Sequence, residues 1–507
     1  MNTKSKSKKA LCAYSRRLQP TTYNLQPRSL RARGQLTIQI LILGFITITV
    51  LGGFVMWSDT YVRNVSREKS KSQAFTVAEA GIEYYRWHLA HSPLDFQDGT
   101  ATSGPYIHPY YDKDNVRIGE FQLVITAPAT GTTIVTIQST GKVDADPTIE
   151  KIIKVKMGLP SLARFSVVSA SDVRFGAGTE VYGELHSNGG IRFDGVAYNK
   201  VTSAKYKYDD PDHSGGNEFG VHTHVSPTDP LPGSATQEPP SPPTRTDVFQ
   251  AGRQLSVPAV DFVGITQDLS NIKSLASSSG KYYGPSGGTN KGYLIVLKNN
   301  DTFDVYKVKT VTTPPRNCTN YLSQPGWGTW SVNTTSVVAT GVAFPSNGLI
   351  FVEDDLWIQG QINTARLTIA AARFPVNSTT YADIIVNSDL LYTNYDGSDV
   401  LSLIAQEHVT VGLKSDTDLR IDGAQVAQNG RVGRYYYRSY CGSEYKRNSI
   451  TVYGMLGSNK RYGWAYTDGT GYQTRTLTYD GYLLYGPPPS FPITASQYDI
   501  ISWEETK

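Results

Sequence analysis

The sequence predicts a mainly β protein carried on one long N-terminal α-helix, with a small antiparallel β-meander packed on the helix and a β-solenoid (parallel β-helix-like) exterior beyond it. Three observations predict this. Residues 36–57 (LTIQILILGFITITVLGGFVMW) run for 22 residues without a charge, and helix-forming composition continues without proline to His91. After Pro93 helical periodicity nearly vanishes, while Gly (46), Pro (27) and Tyr (33) punctuate short apolar runs. From Gly348 onward those runs recur: Leu349, Leu367, Ile385, Leu403 and Ile421 stand 18 residues apart, as stacked coils would. A β-sandwich with strands of similar length is the alternative architecture.

The first element is a basic leader, residues 1–34, with nine Lys/Arg and no Asp or Glu. At about 1.5 Å per residue the uncharged run after it spans about 33 Å, enough to cross a bilayer's hydrocarbon core. Positive flanking charge stays cytoplasmic, which predicts a single-pass membrane protein with its C-terminal bulk extracytoplasmic. The apolar core is longer than the ~7–15 residues of a secretory signal. Ser58, Asp59, Thr60 and Tyr61 follow it, so no small-residue cleavage site is present. The chain is +4 overall, but removing the nine leader charges from 48 leaves 39 basic against 44 acidic residues, a net of −5. The exterior therefore offers no general case for nucleic-acid binding.

The second element is the helix over 35–92. Phe75, Ala78, Ile82, Tyr85 and Leu89 are spaced 3, 4, 3 and 4 apart, one apolar stripe for a partner or for the protein's own head. Residues 36–91 would extend about 84 Å, more than a simple anchor needs. A basic leader ending in Gly34, the run QLTIQILILGFITITVLGGF and the segment SQAFTVAEAGIEYYRWHLA resemble the N-terminus of type IV pilin-like proteins. The likeness covers residues 28–92 and is nearest to PilX-type minor pilins and type II secretion minor pseudopilins. It implies cleavage after Gly34, a mature N-terminus at Gln35, and packing of the apolar half-helix among other pilin-like subunits on an assembly platform. Most such proteins carry a Glu five residues into the mature chain, whereas this chain has Gln39. An amide cannot replace a carboxylate paired with a buried amine, so the resemblance points to a minor or tip subunit. An uncleaved helix that only anchors the protein is the competing reading.

The remaining elements follow in order. Residues 107–158 hold three alternating runs with short turns, an antiparallel meander that would bury the helix stripe. Residues 159–208 form a first solenoid segment, 209–250 a Pro/Gly-rich loop, and 251–507 a β-rich exterior, with a weak helical pattern at 261–276 and a C-terminal Pro-rich strap, LYGPPPSFP. The segments GELHSNGGIRFDG, SLIAQEHVTVG and DGYLLYGPPPSFP also resemble exteriors of bacterial pilus-associated proteins with solenoid-like folds.

No catalytic motif appears, and no cofactor or metal is expected. Asp354 and Asp355 are adjacent, so on a strand they would point to opposite faces and not converge. Asp209, Asp210 and Asp212, with Asp416 and Asp418, read as turn acids. A polysaccharide-active β-helix enzyme is the alternative reading of such acids. His222 and His224 would share one strand face with His213 nearby, but in a Pro/Gly-rich loop they read as solvated side chains rather than a metal site. His186 reads as a turn filler. Cys12 lies in the leader, which leaves Cys318 and Cys441 as the exported pair and a candidate disulfide, with two free thiols as the alternative. Thirteen aromatics between Tyr435 and Tyr485 suit either a contact surface or packing between strands. The expected partners are membrane lipid, other pilin-like subunits, and a glycan or protein ligand at the surface.

Overall fold

The computed structural model describes residues 35–129, 131–231, 242–493 and 497–506. The leader, with Gly34 and Cys12, lies outside the described residues. Helix α1 spans Gln35–His91, 57 residues, and its apolar part is long enough to cross a membrane. The chain divides into two units after Lys69. In the first unit the apolar side chains of residues 36–57 are exposed, Phe45 at 73%. Thr47 and Thr49 return their hydroxyls to Leu43 O and Phe45 O, both at 2.8 Å. Their polar groups are thus satisfied inside the helix, as a lipid surround requires.

In the second unit, Ser70–Lys507, the C-terminal part of α1 packs on a five-stranded antiparallel sheet. The sheet comprises β1 (Tyr106–Tyr111), β2 (Arg117–Thr126), β3 (Ile134–Val143), β4 (Asp146–Gly158) and then the C-terminal strand Asp499–Thr506. Strand β3 alternates strictly, turning Val135, Ile137, Ser139, Gly141 and Val143 toward the helix. Two strands were not apparent in the sequence. Strand β1 contains Pro109, which is tolerated because β1 is an edge. The C-terminal strand pairs Trp503 with Val155 across almost the whole chain, a non-local pairing that no local pattern announces.

Beyond Gly158 the chain winds into parallel coils with three faces. One ladder runs unbroken through Tyr283, Val352, Ala371, Ala405, Ala427, Ser458, Ser169, Ser187 and Ser203. Small residues fill this column where strands give way to bends; Ser187 Oγ donates to Ser171 O (2.8 Å) and Ser203 Oγ to Gly189 O (2.7 Å). A second ladder stacks Leu390, Ile421, Val452, Leu477, Val181 and Ala197 in the core. The third joins Trp357, Ile385, Thr410 and Gly433 in one part and Val173, Ile191 and Val221 in another. The coils of this stack pair in parallel, with an antiparallel excursion of Gly292–Lys298, Thr302–Val311 and Val332–Ala343 leaving it, which makes a solenoid and not a sandwich.

The order of coils differs from chain order. Residues 456–458 pair with Val167–Ser169, so the earliest coil sits mid-stack. Helix α2 (Phe262–Ser279) then precedes Lys281–Tyr283, the strand at the other end of the ladder, from which later coils fill back to the seam. Leu269, Ile272 and Ala276 of α2 cover Phe351, Ala370 and Ile404 on the outer face of the first ladder. That sheet is buried on both faces, which is why Val400–Ala405 is apolar and buried without alternation.

The 18-residue spacing is not the coil repeat. Leu349 pairs with Thr368, Leu367 with Leu401, Leu403 with Gln425 and Ile421 with Val452, offsets of 19, 34, 22 and 31 residues. Stacking constrains the strands and leaves the connections free to vary in length. The Pro-rich strap is held on this stack at several points: the Arg366 guanidinium donates to Gly397 O (3.0 Å), Gly486 O (2.7 Å), Pro487 O (2.9 Å) and Gly131 O, Thr368 Oγ1 donates to Pro489 O, and Leu162 N to Pro492 O (2.9 Å).

Candidate functional site

Three places concentrate the chemistry. The first is the helix. Ala78, Ile82, Tyr85 and Leu89 are buried against the sheet, while Phe75 is half-buried at the edge with its ring 5.8 Å from Trp503. Ala74 and Val77 are buried beside them. Gln39 is exposed on the apolar segment. Gly81 and Gly141 set the helix-to-sheet distance: a Cβ on Gly141 would overlap Ala74 O and Ala78 N, and one on Gly81 would overlap Ser139 Oγ.

The second place is a cationic cleft of about 740 Å³. Arg174, Arg431, Lys460, Arg461 and Arg475 line it with Trp464 and Tyr466, and Asp212 is the one carboxylate in its wall. Asp212 is held by Arg461 and by Arg174 at 3.6 Å. Part of the rim is fixed by the Cys318–Cys441 disulfide, which packs with Tyr435, Tyr437 and Trp327. Tyr437 OH donates to Gly328 O (2.7 Å) and Trp327 Nε1 to Tyr436 O (3.0 Å), tying the two bridged loops together. Of the C-terminal aromatics, Tyr435, Tyr437, Tyr462, Trp464 and Tyr472 are buried, whereas Tyr440 and Tyr482 are more than half exposed. The other six are part-buried, so the aromatics divide between packing and surface and only two are largely open to solvent.

The third place gathers the acids and histidines. Asp354 and Asp355 do converge, contrary to the strand argument: Arg373 Nη2 lies 2.6 Å from Asp354 Oδ1 and 2.9 Å from Asp355 Oδ2. They occupy a bend between strands, where alternation does not apply. Their role is to staple a corner. Asp355 accepts from Asp383 N (3.0 Å), Asp383 from His408 N (2.9 Å), and His408 Nδ1 from Arg431 N (2.9 Å). Burial drives the Asp383 carboxyl well above the usual range and the His408 imidazole down to about 3. Asp416 and Asp418 likewise accept from Asp389 N (3.2 Å) and Asn448 Nδ2 (2.5 Å). His186 is no turn filler: it lies buried in the strand Leu185–Ser187, paired with Val168 and Thr202, its ring held by Thr202 and Asn188 at 3.0 Å each.

Two of the three loop histidines are withdrawn from solvent, His222 wholly and His224 largely, while His213 keeps about a third of its side chain exposed (35%). Val221–His222 is a strand of the third face, with Val221 opposite Ile191 and His222 opposite Arg192. Inward Val221 leaves His222, and His224 two residues on, facing outward. That outer side is roofed by the hairpin of Lys207–Tyr208 with Glu218–Phe219, and Tyr208 lies directly on Gly190, where any Cβ would collide. His222 is fully buried, as are Asp210 and Glu218. His213 Nδ1 lies 3.1 Å from Glu218 Oε1, His222 Nε2 3.5 Å from Asp210 Oδ2, and His224 Nε2 3.6 Å from Glu218 Oε1. Desolvation pulls the His222 imidazole down to about 4 and that of His224 downward, and it pushes the Glu218 carboxyl up. Composition hid this: the Pro and Gly that mark a loop surround a packed hairpin. The signal available was His-x-His with Asp210, His213 and Glu218 within fifteen residues.

No family model and no curated protein sequence matches the chain. Among solved structures, the competence-associated pilin ComZ from Thermus thermophilus aligns with 86% of this chain and 98% of its own, at 11% identity and a TM-score of 0.31. So loose a superposition specifies neither subfamily nor activity.

Proposed function

We propose that this chain is a membrane-anchored, non-enzymatic, pilus-like surface protein, a minor pilin or pseudopilin whose helix assembles and whose β exterior makes contact. The observation that carries the reading is the division of labour along α1. Residues 36–57 expose an uninterrupted apolar surface, whereas Ala74 to Leu89 of the same helix are committed to the chain's own sheet. An exposed surface of that kind needs lipid or other apolar helices around it. Lipid serves before assembly and neighbouring subunits on the assembly platform serve after it. The leader's charge orients the exterior away from the cytoplasm. Gln39, without the carboxylate of a shaft subunit, fits a rare or tip position. The cationic cleft, with its aromatic wall, suits an anionic glycan or an acidic protein surface.

The acids of the coil corners support a structural role over turnover, because each named above is spent on backbone N–H groups, a guanidinium or a neighbouring amide. Shearing intact cells and fractionating the released filaments tests assembly. The full chain should co-sediment with the filament fraction and be cut by external protease on whole cells. Retention of all the protein in washed membranes would favour an anchored protein outside any filament.

A further inference from the structure

Asp210, His213, Glu218, His222 and His224 form two adjoining triads that share His224, with polar atoms that the fold leaves unsatisfied. Asp210 Oδ2, His213 Nδ1, Glu218 Oε2, His222 Nε2 and His224 Nε2 are all buried without a hydrogen-bond partner. Each such atom costs about 1–3 kcal/mol, and five in one place is not what a finished core leaves behind. The separations say what is absent from the protein's own contacts. The nearest pairs stand 3.1, 3.5 and 3.6 Å apart yet are not aligned as hydrogen bonds. A tetrahedron with bonds of about 2.05 Å has edges of about 3.3 Å, so these are the spacings of ligands that face a common ion.

Charge points the same way. Two carboxylates are buried here, and among the described residues Arg192, at 3.6 Å, is the one cation besides the histidines in salt-bridge range of Asp210. Asp229 nearby is already committed to Arg253 and Arg245. One outer contact reaches an imidazole, Tyr208 OH at 3.4 Å from His222 Nδ1, and the His224 backbone N–H donates to Asp194 Oδ1 (2.9 Å), which fixes the chain there. The ligand atoms form two overlapping triads, Asp210/His222/His224 and His213/Glu218/His224. Ligands of a single ion with bonds of about 2.05 Å lie within about 4.1 Å of one another, and the triad His213/Glu218/His224 meets this at its measured edges, with Glu218 Oε1 3.1 Å from His213 Nδ1 and 3.6 Å from His224 Nε2. The comparable trio Asp383/Glu407/His408 fails the same examination. His408 Nδ1 is occupied by Arg431 N, which leaves the proton on Nε2.

We propose that His213, Glu218 and His224 bind one divalent transition ion of the zinc class through two imidazole nitrogens and one carboxylate, with Asp210 and His222 lining the site beside it. The ion pins the hairpin of residues 207–219 to the third face of the solenoid and so fixes the Asp212 wall of the cleft.

The test uses the full chain, purified in detergent through a tag without histidine, from cells grown with added zinc. Metal analysis should find close to one zinc per chain. His224→Ala and the less buried His213→Ala should each lower that at least tenfold, and a chelator should lower the melting temperature of the parent protein only. Cobalt loading should give the visible absorption of a low-symmetry nitrogen–oxygen site. If His224→Ala does not fold, His213→Ala decides. A parent protein that stays metal-free under zinc, or full zinc retention by the folded variants, overturns the proposal.

Discussion

Gly81→Ala sets two effects of opposite sign against each other. On an exposed helix the change would stabilise by about 1 kcal/mol, because alanine is the better helix former. Here the new methyl would overlap Ser139 Oγ and stand 2.9 Å from Cδ2 of the Phe121 ring. Forcing a methyl into a packed interface costs about 1–3 kcal/mol. The net should be a loss of up to about 2 kcal/mol. The obstacle can be dissected, because the Ser139 hydroxyl is buried without a hydrogen-bond partner. Ser139→Ala alone should therefore be neutral or stabilise by up to about 1 kcal/mol. Combined with Gly81→Ala it should recover about 1 kcal/mol of the loss, a coupling that a double-mutant cycle reads directly. Gly141→Ala should be worse than either, since its obstacles are backbone atoms of α1 that cannot rotate away. Urea unfolding of the full chain in detergent measures the four variants. Gly81→Ala as stable as its helix propensity alone predicts, or Ser139→Ala that fails to rescue it, would refute the close helix–sheet contact.

Other expectations follow from the exterior. Loss of the Cys318–Cys441 bridge, at a sequence separation of 123, should destabilise by about 4–5 kcal/mol on the chain-entropy estimate; Cys318→Ser with Cys441→Ser under oxidising conditions, compared by urea midpoint, checks it. Burial raises the Asp480 carboxyl to about 6 from its usual value near 3.9. The folded state thus opposes ionisation: the cost is absent below about pH 4, grows between 4 and 6, and stands at about 3 kcal/mol at most above that. Asp480→Asn keeps an acceptor for Tyr482 N and Tyr453 OH, and it should stabilise by about 1–3 kcal/mol at pH 7.5 and by little at pH 4. Equal effects at both pH values would contradict that assignment.

How much of this was legible from residues alone varied with the range of the contacts. The helix stripe was readable because Ile82, Tyr85 and Leu89 are large and periodic; Ala74 and Val77 on the same face were not, since small apolar residues leave little contrast. Short apolar runs correctly indicated β coils, but the equal spacing of Leu349 and its successors was a coincidence of phase. Only the registers reveal coils of unequal length. The mid-stack seam at Val167–Ser169 is a topological fact with no local signature. Asp354 and Asp355 were misplaced because alternation holds on strands and they sit on a bend. The histidine cluster was misjudged because Pro/Gly content describes the chain's path and not its burial, and Tyr208, Glu218 and Gly190 close the site over His222.

The central claim is that α1 belongs to an assembling, pilin-like subunit. The N-terminal residue of the protein isolated from its native envelope tests this most directly. The expected chain starts at Gln35, shortened by the whole leader and all nine of its cations. A chain that still carries residues 1–34 in the mature envelope would contradict it and leave α1 as an anchor alone.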